Sequence, residues 1–190
     1  MIKYHKYKKN SQNSLYDLYL HHKTWFMDRI EAVFTYLEKA GIMYDCYKHP
    51  AAPTVEIAKQ YWADIPDAQH CKNLFFRNHK GNRHYLVIFD CDRNLAIHDL
   101  ELRLKQGKLS FASEERMMKY LGLSPGSVSL FGLINDTEHH VHVFLDKHLE
   151  TASKLSFHPN DNTASLVISN ADFHHFLQHC GNTYQFIELY

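Results

Sequence analysis

The sequence has few of the residues that mark special classes of protein. It contains four cysteines, seven glycines and five prolines in 190 residues, and its 21 lysines and arginines balance its 21 acidic residues. The cysteines lie far apart with no Cys-x-x-Cys pair, so we expect four free, mostly buried thiols and no disulfide framework. Zero net charge removes the simplest argument for nucleic-acid binding, a strongly basic domain, but leaves a local basic face open.

Long apolar runs are also absent. No stretch approaches the roughly 18 consecutive apolar residues that identify a transmembrane helix. The N-terminal residues also lack the apolar core, about 7–15 residues long, of a secretory signal. We therefore expect a cytoplasmic protein with no membrane partner.

What the chain does have is the composition of a folded domain. Hydrophobic residues make up 45% and charged residues 22% of it, which argues against a largely disordered chain, and the length fits one domain. Charge is uneven, because residues 1–24 contain five lysines and one acid, a net charge of +4. We therefore divide the chain into a basic N-terminal arm or extension, residues 1–26, and one folded domain, residues 27–190.

The periodicity predicts both helices and strands. Apolar residues at helical spacing from Ile30 to Leu37 predict a helix, and aromatic and β-branched residues at Asn73–Arg77 and His84–Asp90 predict a β-hairpin. Further strands are predicted at Met43–Lys48, Leu109–Phe111, Val141–Leu145, Ser165–Ser169 and Tyr184–Leu189. Further helices are predicted from the Thr54 cap to Trp62, at Asp99–Gln106 before Gly107, from the Ser113 cap to Gly122, and at Ala171–Cys180 with Asn170 as cap. Because several neighbouring strands are joined by hairpins, we predict an α+β fold with a mixed, largely antiparallel sheet.

Familiar catalytic motifs are missing. The chain has no Gly-x-Ser-x-Gly nucleophile motif and no Gly-x-x-x-x-Gly-Lys-Ser/Thr phosphate loop, so serine-nucleophile and nucleotide-hydrolysing classes have no support. Sixteen histidines are unusual, and His175 and His179 lie one helical turn apart. The carboxylate base of a His-Glu-x-x-His zinc site is nevertheless missing. We therefore expect no metal and interpret these histidines as a solvated helix face.

The predicted hairpin concentrates cations and aromatic rings. Four cations fall within twelve residues and are interleaved with three aromatic side chains: Lys72, Arg77, Lys80 and Arg83, with Phe75, Phe76 and Tyr85. Cations at this density can contact phosphates, and aromatic rings can stack on bases. The alternative is a soluble hairpin with a cationic outer face.

Several segments together carry a resemblance to one family. They are KNLFFRN at 72–78, GNRHYLVIFD at 81–90, LSFASEERMMKYLGLSPGSVSLFGLIND at 109–136, FHPNDNTASLVIS at 157–169, and the terminal helix and strand. In this order and spacing the chain resembles the free-standing prolyl-tRNA editing proteins (ProX or PrdX) of the YbaK-type aminoacyl-tRNA deacylase family, from about Met27 to Tyr190. The resemblance implies an editing domain with a curved, mixed sheet flanked by helices.

The resemblance also implies an activity. Members of the family hydrolyse, in trans, the ester of tRNA for proline charged with the wrong amino acid, and the nearest branch favours alanine. No metal or organic cofactor is implied. The expected partner is the acceptor end of the tRNA, and a transient contact with prolyl-tRNA synthetase is a further candidate. Three alternatives stay open: a non-catalytic relative that binds tRNA or a synthetase, a deacylase for another mischarged tRNA such as cysteinyl-tRNA for proline, and a small domain that binds a nucleotide.

Roles for individual residues follow from the same resemblance. Lys72 is expected to hold the terminal phosphate of the acceptor end. Gly126, Ser127 and Val128 belong to a reaction loop whose backbone N–H groups face the aminoacyl carbonyl. The residues expected to bind the substrate are His49, Thr54, Asn73, Leu130, Phe131, Gly132, His158, Asn162 and Thr163. The residues expected to contact tRNA phosphates are Arg77, Lys80 and Arg83.

One position departs from the family pattern. The reaction loop usually ends in proline, which fixes φ and removes one N–H group, whereas this chain has Leu130. The substitution leaves the carbonyl-binding geometry, and with it the rate or the specificity, open.

Overall fold

The computed structural model describes residues 3–4, 29–63, 65 and 67–190. The predicted arm at residues 1–26 lies outside the described residues, except for a two-residue strand. The helices and strands, in chain order, are β1 (Lys3–Tyr4), α1 (Arg29–Lys39), β2 (Tyr44–Lys48), α2 (Val55–Trp62), β3 (Gln69–Asn78), β4 (His84–Asp90), α3 (Ile97–Leu104), β5 (Leu109–Phe111), α4 (Glu114–Leu121), the 3-10 helix η1 (Leu130–Asn135), β6 (Val141–Asp146), the 3-10 helix η2 (Lys147–Thr151), β7 (Lys154–Phe157), β8 (Ala164–Ser169), α5 (Asn170–Cys180) and β9 (Tyr184–Ile187).

The strands form one mixed sheet. Their order is β1-β2-β8-β7-β3-β4-β6-β9, and β5 adds to β3 beside this path. Of the eight strand pairs among the described residues, five are antiparallel, and the pairs β3–β7, β4–β6 and β6–β9 are parallel. This confirms the predicted α+β fold with a largely antiparallel sheet.

Both faces of the central strands are covered. On β3, Phe75 faces the larger core, which includes residues of α1, η1 and α5, whereas Phe76 faces a smaller core closed by Leu100 and Leu104 of α3. Neighbouring residues of a strand point to opposite faces. Strand β4 is therefore buried on both sides from His84 to Phe89, which explains its nearly continuous apolar sequence.

Some predicted boundaries are wrong in detail. Ser169, not Asn170, caps α5, because its hydroxyl accepts a hydrogen bond from the Asp172 N–H at 3.1 Å. Helix α3 ends at Leu104, and Lys105 closes it in the left-handed conformation, with φ of 53°, two residues before the glycine expected there. The last strand stops at Ile187, and Leu189 is buried in the smaller core instead.

Other expectations are confirmed. Ser113 caps α4 through its hydroxyl, and Gly122 ends the helix in the left-handed conformation. All four cysteines are free, and Cys71, Cys91 and Cys180 are buried. None of the helices in the described ranges is both long and apolar enough to cross a bilayer.

Candidate active site

A cavity of about 420 Å³ opens between the start of α2, strand β3, the segment before and within β8, and the loop that follows α4. Eight of the residues expected to form the site line it: His49, Thr54, Lys72, Asn73, Gly126, Val128, His158 and Asn162. Residues that the sequence reasoning did not single out complete the wall, including Glu56, Trp62, Phe111, Pro125 and Ser165. The fold thus brings together segments that are more than 100 residues apart in the chain.

Strand β3 contributes the cation of the cavity. Lys72 is half-buried, and its ammonium group makes no ion pair or hydrogen bond with any described residue. Its neighbour Asn73 is buried, and the Asn73 Oδ1 atom has no hydrogen-bond partner within the described ranges. A buried polar atom without a partner costs free energy. Lys72 therefore offers a free cation to a bound molecule, whereas the Asn73 amide oxygen is enclosed in the wall.

The loop after α4 is a tight turn. Ser127 donates its backbone N–H to the Ser124 carbonyl at 3.1 Å, and Gly126 has φ of 83°. Proline at the second position and glycine with positive φ at the third are typical of a type II turn. The Ser127 hydroxyl also donates to the Ser124 carbonyl at 2.9 Å, and Arg29 at the start of α1 donates to the Ser124 hydroxyl at 3.0 Å. The turn is therefore held from both sides.

The turn uses the backbone N–H group of one of the three predicted loop residues and leaves those of the other two unbonded. The Ser127 N–H is used inside the turn, and its side chain is buried. The N–H groups of Gly126 and Val128 make no hydrogen bond within the described part of the chain. Two of the three predicted loop amides are therefore free to meet a ligand.

A chain of hydrogen bonds stiffens the opposite wall. The Trp62 indole N–H donates to the Ser165 hydroxyl oxygen at 3.2 Å, and the same hydroxyl lies 3.1 Å from His49 Nε2. Because His49 Nδ1 contacts the Pro50 carbonyl at 2.8 Å, Nδ1 carries the proton and Nε2 accepts from Ser165. The His49 ring also stacks on Tyr61 at 5.0 Å. Both ring nitrogens of His49 are engaged, so this residue acts as a wall of the cavity rather than as a proton carrier.

His158 presents the other imidazole. Burial, together with a smaller effect of the nearby His49, lowers the pKa of His158 to about 4. The ring is therefore neutral at neutral pH. Its carbonyl accepts a hydrogen bond from the Ser129 hydroxyl at 2.6 Å, whereas its ring nitrogens have no partner among the described residues. A neutral imidazole can donate one hydrogen bond and accept another, so His158 can orient a polar ligand group or a water molecule.

Four of the predicted substrate-binding residues lie behind the cavity wall. Leu130, Phe131 and Gly132 are buried in and around the main core, and a Cβ at Gly132 would lie 2.8 Å from Leu123 Cδ1. The Thr163 side chain bonds to Asp161, and the Thr163 carbonyl accepts from the His49 N–H at 2.9 Å. The structure shows packing roles for these residues, and their direct contact with a substrate stays a prediction.

The cations of the hairpin turn are separate from the cavity. Arg77 donates to the carbonyls of Asn78 and His79, at 3.1 and 3.2 Å, so it stabilises its own turn. Lys80 and Arg83 are exposed. Arg77 lies five residues along β3 from Lys72, about 16 Å at the usual rise per residue. A role in contacting phosphates outside the cavity stays a prediction for all three.

Comparison with known proteins gives a consistent result. Residues 49–176 match the sequence model of the aminoacyl-tRNA editing domain. The prolyl-tRNA editing protein ProX of Acetoanaerobium sticklandii is 40% identical over 164 residues, which cover 86% of this chain and 99% of that relative. The prolyl-tRNA synthetase associated domain-containing protein 1 of Danio rerio is 31% identical over 150 residues, which cover 78% of this chain and 80% of the relative.

A solved structure has the same fold. A crystal structure described as a candidate trans-editing enzyme for prolyl tRNA synthetase superposes with a TM-score of 0.65 at 19% identity, covering 86% of this chain and 98% of that one. At this identity the likeness concerns the fold alone. The matched family segment begins at His49 and includes every residue of the cavity wall named above.

Proposed function

The chain belongs to the aminoacyl-tRNA editing domain family, whose activity is hydrolysis of aminoacyl-tRNA, and we propose that it removes alanine from mischarged tRNA for proline. The prolyl-tRNA trans-editing role is supported by the relative that is 40% identical over nearly its whole length. We base the choice of alanine on the resemblance to the branch that favours alanine and on the hydrogen-bonded cavity wall.

One observation carries the proposed reaction: a free ammonium group and two free backbone amides line the same cavity. Lys72 supplies the cation, and the reaction loop supplies the N–H groups of Gly126 and Val128. An aminoacyl ester is already activated, so its hydrolysis needs an oriented water molecule and donors for the developing oxyanion. Each such donor contributes roughly 3–4 kcal/mol of transition-state stabilisation. No serine or cysteine nucleophile is required.

The same wall suits the end of a nucleic acid. We assign the terminal phosphate to Lys72, which forms no ion pair with any described residue. Phe111 on β5 lines the cavity, is 54% exposed, and stacks on Phe76 with ring centroids 4.7 Å apart. An exposed ring that is held in place from behind is suited to stacking on an unpaired base. Phe111 therefore receives a base of the single-stranded acceptor end.

Rejection of prolyl-tRNA follows from a stiff wall. Trp62, Ser165 and His49 are joined by hydrogen bonds, and we assign to this chain the resistance of the wall to a larger side chain. A site that merely adds contacts discriminates weakly between related side chains, whereas a wall that clashes excludes the larger one. Alanine is admitted under this proposal, and the pyrrolidine ring of proline is not.

The role of Lys72 provides the test. Replacing Lys72 by alanine removes one charge-assisted contact, worth about 1.5–3 kcal/mol. We expect kcat/KM for alanyl-tRNA for proline to fall about 10- to 150-fold, with the free energy of unfolding nearly unchanged. The matched control is Lys147→Ala, which removes an exposed lysine of η2 outside the cavity. Equal rates for wild type and Lys72→Ala would contradict the phosphate assignment.

A further inference from the structure

The cavity wall carries a carboxylate as well as a cation. Among the described residues that line it, Lys72 and Glu56 are the two with a formal charge at neutral pH. Glu56 is the second residue of α2 and is exposed. The two side chains do not form an ion pair, and the other lysine of this helix, Lys59, is paired with Asp92 at 2.5 Å. The Glu56 carboxylate is therefore free of a direct cationic partner within the described part of the chain.

The Glu56 carboxylate stays ionised at neutral pH. Hydrogen bonds from its own backbone N–H and from the Thr54 hydroxyl lower the pKa of Glu56, and the charges of Lys72 and Lys59 lower it further. A carboxylate offers about four acceptor positions, so these two bonds leave capacity for a ligand. An ionised carboxylate therefore lies at the cavity wall.

An aminoacyl ester carries the complementary pair of charges. The phosphodiester next to the terminal nucleoside is an anion, and the α-amino group of the amino acid is a cation when protonated, with an ordinary pKa of about 7.7–8.0. The ester bond lies between these two groups. A cavity with one separated cation and one separated anion matches this pattern, and neither free tRNA nor an N-blocked ester does.

We propose that Glu56 binds the α-ammonium group of the aminoacyl ester while Lys72 binds the phosphate. This inference deepens the proposed function and rests on it. It makes a free amino group part of what the site recognises, so that the site selects aminoacyl-tRNA over peptidyl-tRNA and releases deacylated tRNA. Glu56 contributes substrate binding, and no bond is made or broken at its carboxylate.

The test removes the positive charge from the substrate and the negative charge from residue 56 of the protein, one at a time and together. The substrates are alanyl-tRNA and lactyl-tRNA for proline, because a lactyl ester has a neutral hydroxyl in place of the ammonium group and nearly the same shape. The proteins are wild type, Glu56→Gln and Glu115→Gln. Glu115 is the matched control, since it is also exposed and is also the second residue of a helix capped by a hydroxyl, but it lies outside the cavity.

The expected result is a loss that depends on the substrate. Glu56→Gln lowers kcat/KM for alanyl-tRNA about 10- to 100-fold, the size of one charge-assisted hydrogen bond. The same variant changes kcat/KM for lactyl-tRNA less than about twofold, which is no more than the weakest net hydrogen bond contributes. Glu115→Gln leaves both rates unchanged. An equal loss on both substrates, or no loss on alanyl-tRNA, would overturn the Glu56 assignment while leaving the editing activity standing. Failure of the wild type on both substrates would overturn the proposed function, and the assignment would fall with it.

Discussion

Removing the Ser165 hydroxyl tests whether the stiff wall determines specificity. In Ser165→Ala, the Trp62 indole N–H and the His49 ring each lose a partner, at 3.2 and 3.1 Å in the wild type. Ser165 is only 4% exposed, so water replaces the hydroxyl poorly. A typical hydrogen bond contributes about 0.5–1.5 kcal/mol net, and an unpaired buried group costs about 1–3 kcal/mol. We therefore expect Ser165→Ala to lower the free energy of unfolding by about 2 kcal/mol.

Ser165→Ala should also change the selectivity between alanyl-tRNA and prolyl-tRNA. Without the hydroxyl, the Trp62 and His49 rings can move apart, and the cavity can admit a larger side chain. We expect the ratio of kcat/KM for prolyl-tRNA to that for alanyl-tRNA to rise at least about tenfold, a change that corresponds to about 1.4 kcal/mol.

Urea denaturation gives the free energy of unfolding, and hydrolysis of purified prolyl-tRNA and alanyl-tRNA gives the ratio. Ser165→Thr keeps the hydroxyl and should retain both properties, and Ser110→Ala, on exposed β5, is the control for serine removal as such. A Ser165→Ala protein as stable as the wild type, with an unchanged ratio, would refute the reasoning.

Three further perturbations have defined outcomes. Gly126→Ala places a side chain at φ of 83°, where a Cβ meets no atom within 4 Å. We therefore expect the backbone strain to lower the free energy of unfolding in urea by about 1 kcal/mol, and kcat to fall more than tenfold as the loop amides shift. An unchanged kcat would contradict the role of the loop amides in the reaction. Phe111→Ala should raise KM about 5- to 100-fold, since stacking on a base contributes about 1–3 kcal/mol, whereas Phe111→Tyr should not; equal KM values for both variants would remove the stacking role. Burial lowers the pKa values of His84 and His158 to about 4 in the folded protein, so unfolding takes up protons below pH 6.5 and the stability should fall as the pH is lowered from 6.5 to 4. In thermal melts, His84→Asn should make the stability depend less steeply on pH. A slope identical to that of the wild type would contradict the lowered pKa of His84.

The local elements were predictable because local signals agree with the tertiary structure. The hairpin of β3 and β4 follows from two runs of aromatic and β-branched residues, and α4 follows from its serine cap and terminal glycine. The boundaries that fail are those where two candidates compete: Ser169 and Asn170 can both cap a helix, and only the backbone conformation selects Ser169. Leu130 shows another limit, because the resemblance places it at the end of a loop that contacts the substrate, whereas the 3-10 helix that starts there is buried in the main core.

The resemblance to the editing family pointed to site residues on one strand and in one loop, and the structure places several of them in one cavity wall. Lys72 and Asn73 are adjacent in the sequence, and Gly126 and Val128 share a turn. The Trp62–Ser165–His49 chain could not be predicted, because its members come from three distant segments and Ser165 looks like any residue of a buried strand. Glu56 resembles the ordinary acidic residue in a first helical turn, and only the structure shows that it lines the same cavity as Lys72.

The most direct measurement is single-turnover hydrolysis of three substrates by the wild-type protein: alanyl-, cysteinyl- and prolyl-tRNA for proline. The account predicts rapid release of alanine with prolyl-tRNA spared. Rapid release of cysteine with alanyl-tRNA spared would keep the editing activity and contradict the proposed substrate. Hydrolysis of none of the three would contradict the central claim and identify the chain as a non-catalytic relative.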